Sequence, residues 1–397
     1  MAREYRDSGI EWIGQIPKEW ECTCFKRFHN DANVGESIDK NFCTDNENDA
    51  LFYTAGLKPI HTTYKDFPTW KYTSINDLLL ARNGTPYVYL PLPESIYSDH
   101  IIRVCIKENY IREYARYCIQ QAISFVVVDT VSIATWSISL WDKQFLPIPS
   151  LHEQQKIADY LDKVCGEVDE MVTIQETMIE ELKAYKQSVI TEAVTKGLNP
   201  NAPMRNSGID WIGNIPKHWQ MKRLKFMCEI QTGNQDTQDA EQDGEYPFYV
   251  RSPKVEHSNK YSFEGEGILM AGDGAGAGRV FHHAFGKYAV HQRVYRLSSF
   301  DDIDTTFLFH YISNLFCKVM DMGSAQSTVP SVRLPMLQNF VVCIPSIEEQ
   351  QHIATYLDTK CSEIDSLIVL KHAKIEELKE YKKSIIYEYV TGKKEVV

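Results

Sequence analysis

The chain lacks most of the patterns that mark a catalytic or metal-binding site. It has no G-x-S-x-G, H-E-x-x-H or P-loop pattern, and its ten cysteines include no C-x-x-C pair. The scattered cysteines therefore indicate reduced thiols, and they exclude a zinc ribbon. Also absent is any [N/D]-P-P-[Y/F] tetrapeptide, with which amino-methyltransferases hold a flipped base. The sequence thus offers no catalytic constellation of its own.

Long apolar runs are missing as well. No segment approaches the roughly 18 apolar residues that a membrane span needs. The first residues, MAREYRDSG, contain no apolar signal-peptide core. We therefore expect a chain that makes no membrane contact and acts in the cytoplasm. The 43% hydrophobic and 24% charged residues are typical of a globular protein.

Positive charge is scarce, but the deficit is uneven. The net charge of −12 over 397 residues would by itself disfavour a nucleic-acid partner. Residues 151–195 and 347–391 together carry −9 of that charge, so the rest of the chain is close to neutral. A polyanion could bind local basic patches outside these two acidic segments.

What the chain does have is an internal repeat. SGIEWIGQIPKEW at 8–20 returns as SGIDWIGNIPKHW at 207–219, with ten of thirteen residues identical. IPSLHEQQKIADYLD begins at Ile148, and IPSIEEQQHIATYLD begins at Ile344. Such a pattern indicates an internal duplication with pseudo-twofold symmetry. The variable segments between the repeats, 21–147 and 220–343, share little sequence but look rich in strands.

Each segment that follows an IPS motif predicts a long helix. Apolar residues recur about every 3.5 positions in both segments, and no proline interrupts them. Residues 151–195 would form a rod of roughly 67 Å at about 1.5 Å per residue. A stripe of that length needs a partner helix, so we expect an intramolecular antiparallel coiled coil. The alternative is two amphipathic helices that each cover a separate core.

The variable segments share one layout. NDLLLARNGTPYVYLPL at 76–92 predicts a strand, a turn at Asn83–Gly84 and a second strand. EGILMAGDGAGAGRVFHH at 266–283 has the same order, so Leu78–Gly84 aligns with Ile268–Gly274. A short helix and a final strand follow in each. The fold class is therefore α+β, with segments 1–147, 148–205, 206–343 and 344–397 as globular domain, long helix with a linker, globular domain and long helix.

Polar and basic side chains surround both predicted turns. Arg, Asn and Gln pair bidentately with base edges, while Arg, Lys, Ser and Thr bind phosphates. The candidates for base contacts in the first variable segment are Arg82, Asn83, Thr85 and Tyr87. Those in the second are Arg279, Gln292, Arg293, Gln326 and Ser327 for bases, with Arg251, Lys254 and Arg333 for phosphates.

The glycine-rich stretch Gly272–Gly278 is the one pattern that suits an enzyme. GDGAGAG fits the G-x-G-x-x-G/A of a dinucleotide site, which also requires a helix that begins at the glycines. The following RVFHHAFGKYAV looks like a strand, so a tight turn that brings backbone close to a ligand is favoured. A dinucleotide-binding enzyme remains one alternative function. A coiled-coil scaffold without DNA contact is the other.

In this order and duplicated, the motifs resemble those of the specificity (S) subunits of type I restriction–modification systems, over nearly the whole chain. The resemblance rests on both SGI…W phrases, on both IPS…EQQ.IA.YLD helix starts, and on ARNGTPYVYL…SDHIIRV at 81–104 with its counterpart MAGDGAGAGRV. It implies a non-catalytic subunit with two target-recognition domains, each reading half of a bipartite site on double-stranded DNA. The helices would space the domains and bind two methyltransferase (M) subunits, and restriction (R) subunits would join them. S-adenosylmethionine, ATP and Mg would belong to those partners, with no cofactor in this chain.

The repeated SGI…W phrase is predicted to be structural. We expect 8–20 to pack near the far end of the second long helix, and 207–219 near the far end of the first. The apolar anchors in the first copy would be Trp12, Ile13, Ile16 and Trp20.

Overall fold

The computed structural model describes residues 3–126, 134–323 and 330–396, which form two compact units. Unit 1 comprises Met1–Gln175 and Ala373–Val397, and unit 2 comprises Glu176–His372. Each unit contains one head of strands and short helices, together with parts of two long helices. We name these the first stalk helix, Leu151–Lys196, and the second stalk helix, Ile347–Val390. The boundary between the units falls inside both stalk helices.

Head 1 (residues 3–148) is built on two four-stranded sheets. The central antiparallel sheet has the order His29–Val34, Ile101–Ile106, Asp77–Ala81, Val88–Tyr89. The smaller sheet has the order Ile96–Tyr97, Ala50–Tyr53, Ile60–Thr62, Cys43–Thr44. Two strand pairs border the stalk: Tyr5–Asp7 with Gln15–Pro17, and Glu21–Cys24 with Phe145–Ile148. The helices are Arg112–Ile123 and Ile138–Asp142, with 3-10 turns at Phe25–Arg27, Lys40–Phe42 and Thr69–Lys71.

Head 2 (residues 204–344) repeats this architecture. Its central sheet has the order Glu229–Thr232, Val294–Ser298, Gly267–Ala271, Phe281–Ala284. Its smaller sheet has the order Glu256–Ser258, Tyr246–Tyr249, Lys287–Val290, Phe263–Glu264. The strand pairs are Met204–Asn206 with Asn214–Pro216, and Gln220–Arg223 with Val341–Ile344. The helices are Thr305–Gly323 and Leu334–Gln338, with 3-10 turns at Leu224–Phe226 and Thr237–Asp239.

The aligned turns of the two heads are equivalent down to their hydrogen bonds. In head 1 the backbone N–H of Gly84 donates to the carbonyl of Ala134 (2.9 Å), and in head 2 that of Gly274 donates to Pro330 (3.0 Å). Both glycines have a left-handed φ of +75°, which a side chain would strain. The expectation of one fold carrying two sequences is therefore confirmed.

The core of each head continues into the stalk. In unit 1 a single apolar cluster joins Leu78 of the central sheet and Tyr114 of the head helix to Ile157 and Leu161 of the first stalk helix. Unit 2 has a matching cluster that includes Ile353 and Leu357 of the second stalk helix. Burying each large apolar side chain contributes about 1.5–3 kcal/mol. Within each unit, a head and its stalk segments therefore share one hydrophobic core.

The stalk helices pair in opposite directions within each unit. The residue numbers fall along one helix as they rise along the other, so the pairing is antiparallel, as predicted. In unit 1 the contacts are Tyr160 with Tyr389 and Asp169 with Lys382, and in unit 2 they are Met178 with Lys371 and Lys186 with Asp365.

The SGI…W phrase of unit 1 packs where one stalk helix begins and the other ends. The indole Nε1 of Trp20 donates to Glu153 Oε2 (3.0 Å) in the first turn of the first stalk helix. Lys393 Nζ, just beyond the second stalk helix, donates to the carbonyl of Ile13 (2.9 Å). The predicted anchors are all buried, and they are Trp12, Ile13, Ile16 and Trp20. This confirms the predicted position of the phrase.

The second copy occupies the same place in unit 2. Trp219 Nε1 donates to Glu349 Oε1 (3.2 Å), and the Trp219 ring lies against Gly197 at the end of the first stalk helix. Both tryptophans are about 1% exposed. Each phrase therefore ties the first turn of one stalk helix to the last turn of the other.

A glycine-to-alanine pair tests how tightly this junction is packed. A Cβ on Gly392 would lie 2.6 Å from Pro17 Cδ and 2.9 Å from Trp20, whereas one on Gly9 would meet nothing within 4 Å. Both glycines have a similar left-handed φ, +70° and +73°. We expect Gly9→Ala to cost about 1–2 kcal/mol from backbone strain alone. Gly392→Ala should cost a further 1–3 kcal/mol, roughly, from overpacking. Chemical denaturation measures both changes. Equal losses of unfolding free energy for the two variants would show that the junction is loosely packed.

Candidate nucleic-acid interface

The turn of head 1 lies beside the residues that enter the next strand of the central sheet. The backbone N–H of Arg82 donates to the carbonyl of His100 (2.8 Å), and Asn83 Nδ2 lies 2.7 Å from His100 Nδ1. The exposed Arg82 side chain donates from Nη1 to the carbonyl of Asp99 (3.3 Å). We call residues 82–85 and 98–100 the turn edge of head 1. This edge presents one guanidinium, one amide and one imidazole.

The two other candidates in head 1 differ in accessibility. Thr85 is exposed at the tip of the turn. Tyr87 is partly buried, and its ring packs edge-on against Tyr89 at 4.7 Å between centroids. Much of the Tyr87 ring therefore packs against a second, smaller apolar cluster in head 1.

The turn edge of head 2 comprises residues 272–274 and 291–293 and is more highly charged. Asp273 follows the strand Gly267–Ala271 and accepts from Arg251 Nη1 (2.9 Å) and Arg293 Nη1 (2.6 Å). Partial burial on its own would raise the pKa of the Asp273 carboxyl. The hydrogen bonds from the two arginines outweigh burial and hold this pKa below its ordinary value. Asp273 is therefore a carboxylate at neutral pH.

Of the remaining candidates of head 2, Gln292 belongs to the turn edge and the others lie outside it. Gln292 Nε2 donates to Asp236 Oδ2 (2.7 Å), and Arg279 Nη2 donates to Asp321 Oδ1 (2.6 Å). Arg333 is exposed immediately before the helix Leu334–Gln338, and Lys254 Nζ lies 3.4 Å from Glu256 Oε1. Gln326 and Ser327 lie outside the described residues. The structure thus joins Arg251 and Arg293 through Asp273, whereas Arg279 and Lys254 pair with other carboxylates.

Sequence reasoning missed two residues of these edges, His100 and Asp273. The strand register places Ile101 opposite Ala81 and Val294 opposite Ala271, so His100 corresponds to Arg293. A signal was available, because SDHIIRV at 98–104 aligns with HQRVYRL at 291–297 once the strands are matched. Asn83 and Asp273 likewise occupy the same bridge position, opposite Thr135 and Ser331.

The glycine-rich turn does not have the geometry of a dinucleotide site. The strand Phe281–Ala284 follows Gly272–Gly278, so no helix begins at the glycines to face a pyrophosphate. A Cβ on Gly278 would lie 2.8 Å from Met320 and 3.0 Å from Phe316, so this glycine is required by packing. The expectation of a tight turn followed by a strand is confirmed.

Within residues 3–126, 134–323 and 330–396, no group of three or more His, Cys, Asp or Glu side chains is arranged to hold a metal ion. No helix in the described part of the chain is long and apolar enough to cross a membrane.

Comparison with known proteins identifies the family. A family model described as "Type I restriction modification DNA specificity domain" matches residues 17–184 and again 216–380. This chain belongs to the type I DNA specificity family. Each of its two halves carries one copy of the recognition domain, and a specificity subunit recognises DNA sequence.

Relatives and a solved structure agree with the assignment. The specificity subunit of the type I restriction enzyme EcoDI of Escherichia coli is 30% identical, over 39% of this chain and 34% of that subunit. The MjaVIII specificity subunit of Methanocaldococcus jannaschii is 25% identical, over 80% of this chain and 79% of that one. A chain from a structural study of assembly and conformational transition in the type I R-M system superposes with a TM-score of 0.71 at 16% identity, covering 94% of this chain and 98% of that one. This last likeness confirms the fold.

Proposed function

We propose that each head reads one half of a bipartite sequence in double-stranded DNA, and that its turn edge faces the bases. The observation that carries this proposal is the equivalence of the two edges. Their backbones make equivalent hydrogen bonds and β-bridges, but the side chains differ. Asn83 and His100 stand in head 1 where Asp273 and Arg293 stand in head 2. Two readers of different half-sites need one scaffold with different polar groups.

In this proposal the chain contributes no catalytic step. Two methyltransferase subunits supply S-adenosylmethionine and methylate adenine, and restriction subunits supply ATP- and Mg-dependent cleavage. The assembly acts in the cytoplasm. Support for a protein partner on the stalk comes from apolar side chains that the second stalk helix exposes within unit 2. These are Leu367, Val369 and Leu370, which are 46%, 66% and 64% exposed.

A domain exchange in the native host tests the proposal. Replacing residues 21–147 by the corresponding segment of another family member should change one half of the methylated motif and leave the other half intact. Replacing residues 220–343 should change the opposite half. Sequencing that detects methylated adenine across the genome reads both outcomes, with a gene deletion as reference.

Two results would contradict the proposal. A motif unchanged by either exchange would favour the scaffold without DNA contact. A deletion that removes no methylated motif would refute a role in directing methylation.

A further inference from the structure

The glycine-rich turn of head 2 brings two arginines from distant parts of the chain to one carboxylate. Arg251 follows the strand Tyr246–Tyr249 of the smaller sheet, and Arg293 precedes the strand Val294–Ser298 of the central sheet. Asp273 lies between them and accepts one hydrogen bond from each, at 2.9 and 2.6 Å. We call these three residues the arginine fork.

The glycines of the turn are what allow the fork to assemble. A Cβ on Gly272 would lie 2.8 Å from the carbonyl oxygen of Arg293, and one on Gly276 would lie 2.5 Å from that of Arg251. Contacts this short with backbone atoms cannot be relieved by moving a side chain. The turn therefore packs directly against the main chain of both arginines, and the spacing of GDGAGAG serves that contact.

The fork is oriented but still accessible. The side chains of Arg251 and Arg293 are 42% and 62% exposed, while that of Asp273 is only 16% exposed. Each arginine binds Asp273 through Nη1 alone. Among the described residues, no hydrogen bond engages the Nε or Nη2 of either arginine. Each guanidinium thus keeps one free edge with two parallel donors.

Stability does not explain this arrangement. An exposed ion pair contributes about 0–1 kcal/mol, so the fork adds little to folding. Its effect is to fix the planes of two otherwise mobile side chains, which lowers the entropy lost when they bind a ligand.

We propose that Arg251 and Arg293 read guanines in the half-site of head 2, and that Asp273 is the positioning residue for both. The free edge of a fixed guanidinium matches the O6 and N7 acceptors of guanine in the major groove. A phosphate fits less well, because the Asp273 carboxylate within 3 Å of both guanidinium groups would repel it. This assigns Arg251, first expected at a phosphate, to a base.

The inference rests on the proposed function and adds a base identity to it. The equivalent positions of head 1 hold Asn83 and His100, a neutral amide beside an imidazole. The two half-sites should therefore differ, with guanine selected by a paired fork in head 2 alone.

Methylation mapping in the native host, with each variant in place of the wild-type gene, tests the inference. Arg251→Ala and Arg293→Ala should each make one guanine of the head 2 half-site degenerate, since a bidentate contact gives about five- to 150-fold discrimination. Asp273→Asn should weaken the selection of guanine at both positions. Arg293→Lys keeps the charge but lacks the planar fork, so it should not restore the guanine. Lys222→Ala is the matched control, because it removes a cation of the same head that pairs with Asp302 and lies outside the fork.

The results distinguish a base contact from a phosphate contact and from a misfolded variant. A guanine position that becomes degenerate only in the fork variants supports the inference. A half-site without guanine overturns it, and so does a uniform fall in methylation with an unchanged motif that Arg293→Lys repairs, since that pattern belongs to a phosphate contact. Thermal unfolding of each purified chain identifies a variant that merely misfolds. If an arginine variant misfolds, the nearly isosteric Asp273→Asn variant tests the inference in its place. A wild-type gene whose deletion removes no motif refutes the proposed function itself.

Discussion

Replacing Trp219 with alanine should lower the free energy of unfolding by about 3–5 kcal/mol, the range for truncating a buried tryptophan. The Trp219 indole is about 1% exposed and contacts Gly197 and the ring of Phe307. Its loss would also leave Glu349 Oε1 without its hydrogen bond from the indole. Chemical denaturation of the full chain would measure the change.

Trp70→Ala is the matched control for that experiment. Trp70 is 63% exposed in head 1, so its removal should change stability by less than about 0.5 kcal/mol. If Trp219→Ala were as mild as Trp70→Ala, the SGI…W phrase would not be the attachment of head 2 to its stalk segments. A stable Trp219→Ala chain that lost half of its recognition motif would instead show that the junction sets the position of the head.

Replacing Arg103 with methionine should lower the free energy of unfolding by a comparable amount, about 3–5 kcal/mol. The reason is that it leaves a buried carboxylate without its charged partner. Arg103 lies in the central sheet of head 1, and its Nη1 is 3.7 Å from Asp77, which is 1% exposed. Asp77 Oδ1 is buried and has no hydrogen-bond partner in the described part of the chain. The guanidinium also donates to the carbonyl of Tyr72 (3.1 Å) and to Asp31 (3.0 Å).

The equivalent arginine of head 2 provides the control. Arg296 occupies the same strand position, but its hydrogen-bond partners are neutral, the hydroxyls of Tyr288 (2.9 Å) and Ser298 (2.5 Å). Arg296→Met leaves no carboxylate unpaired, so it should lower the free energy of unfolding clearly less than Arg103→Met does. A second check is Arg103→Met combined with Asp77→Asn, which should recover part of the loss. Equal costs for the two methionine variants would contradict the account based on Asp77.

The features that the sequence predicted correctly are those that depend on local spacing. The stalk helices begin and end within a few residues of the apolar stripes, because helical periodicity is a short-range signal. The duplication doubled that signal, and it allowed the turns at Gly84 and Gly274 to be aligned from the sequence alone. The position of Trp20 and Trp219 followed from the same alignment.

The features that were missed depend on contacts between distant residues. Arg251 and Arg293 were expected in different roles, since nothing in their local sequence shows that both reach Asp273. Arg103 and Arg296 give no local sign of burial, because the strand register decides which face they occupy. The roles assigned to Arg279, Lys254 and Arg333 remain predictions.

The glutamine of the EQQ motif was also overlooked. Gln154 is 1% exposed, and its Oε1 accepts from the backbone N–H of Ile111 (2.9 Å) at the start of the head helix. Gln350 does the same for Asp304 (2.7 Å). Recurrence of this motif in the first turn of both stalk helices was the available clue.

The division of the chain between the units has a consequence for its synthesis on the ribosome. Unit 2 is a single stretch, Glu176–His372, and can fold as soon as it has emerged. Unit 1 begins first but needs Ala373–Val397, which follows the whole of unit 2 in the chain, to close its core around Ile385 and Val390. Domains usually fold in the order in which they are translated. Here we expect unit 2 to complete its fold before unit 1, because Ile385 and Val390 are translated after the whole of unit 2.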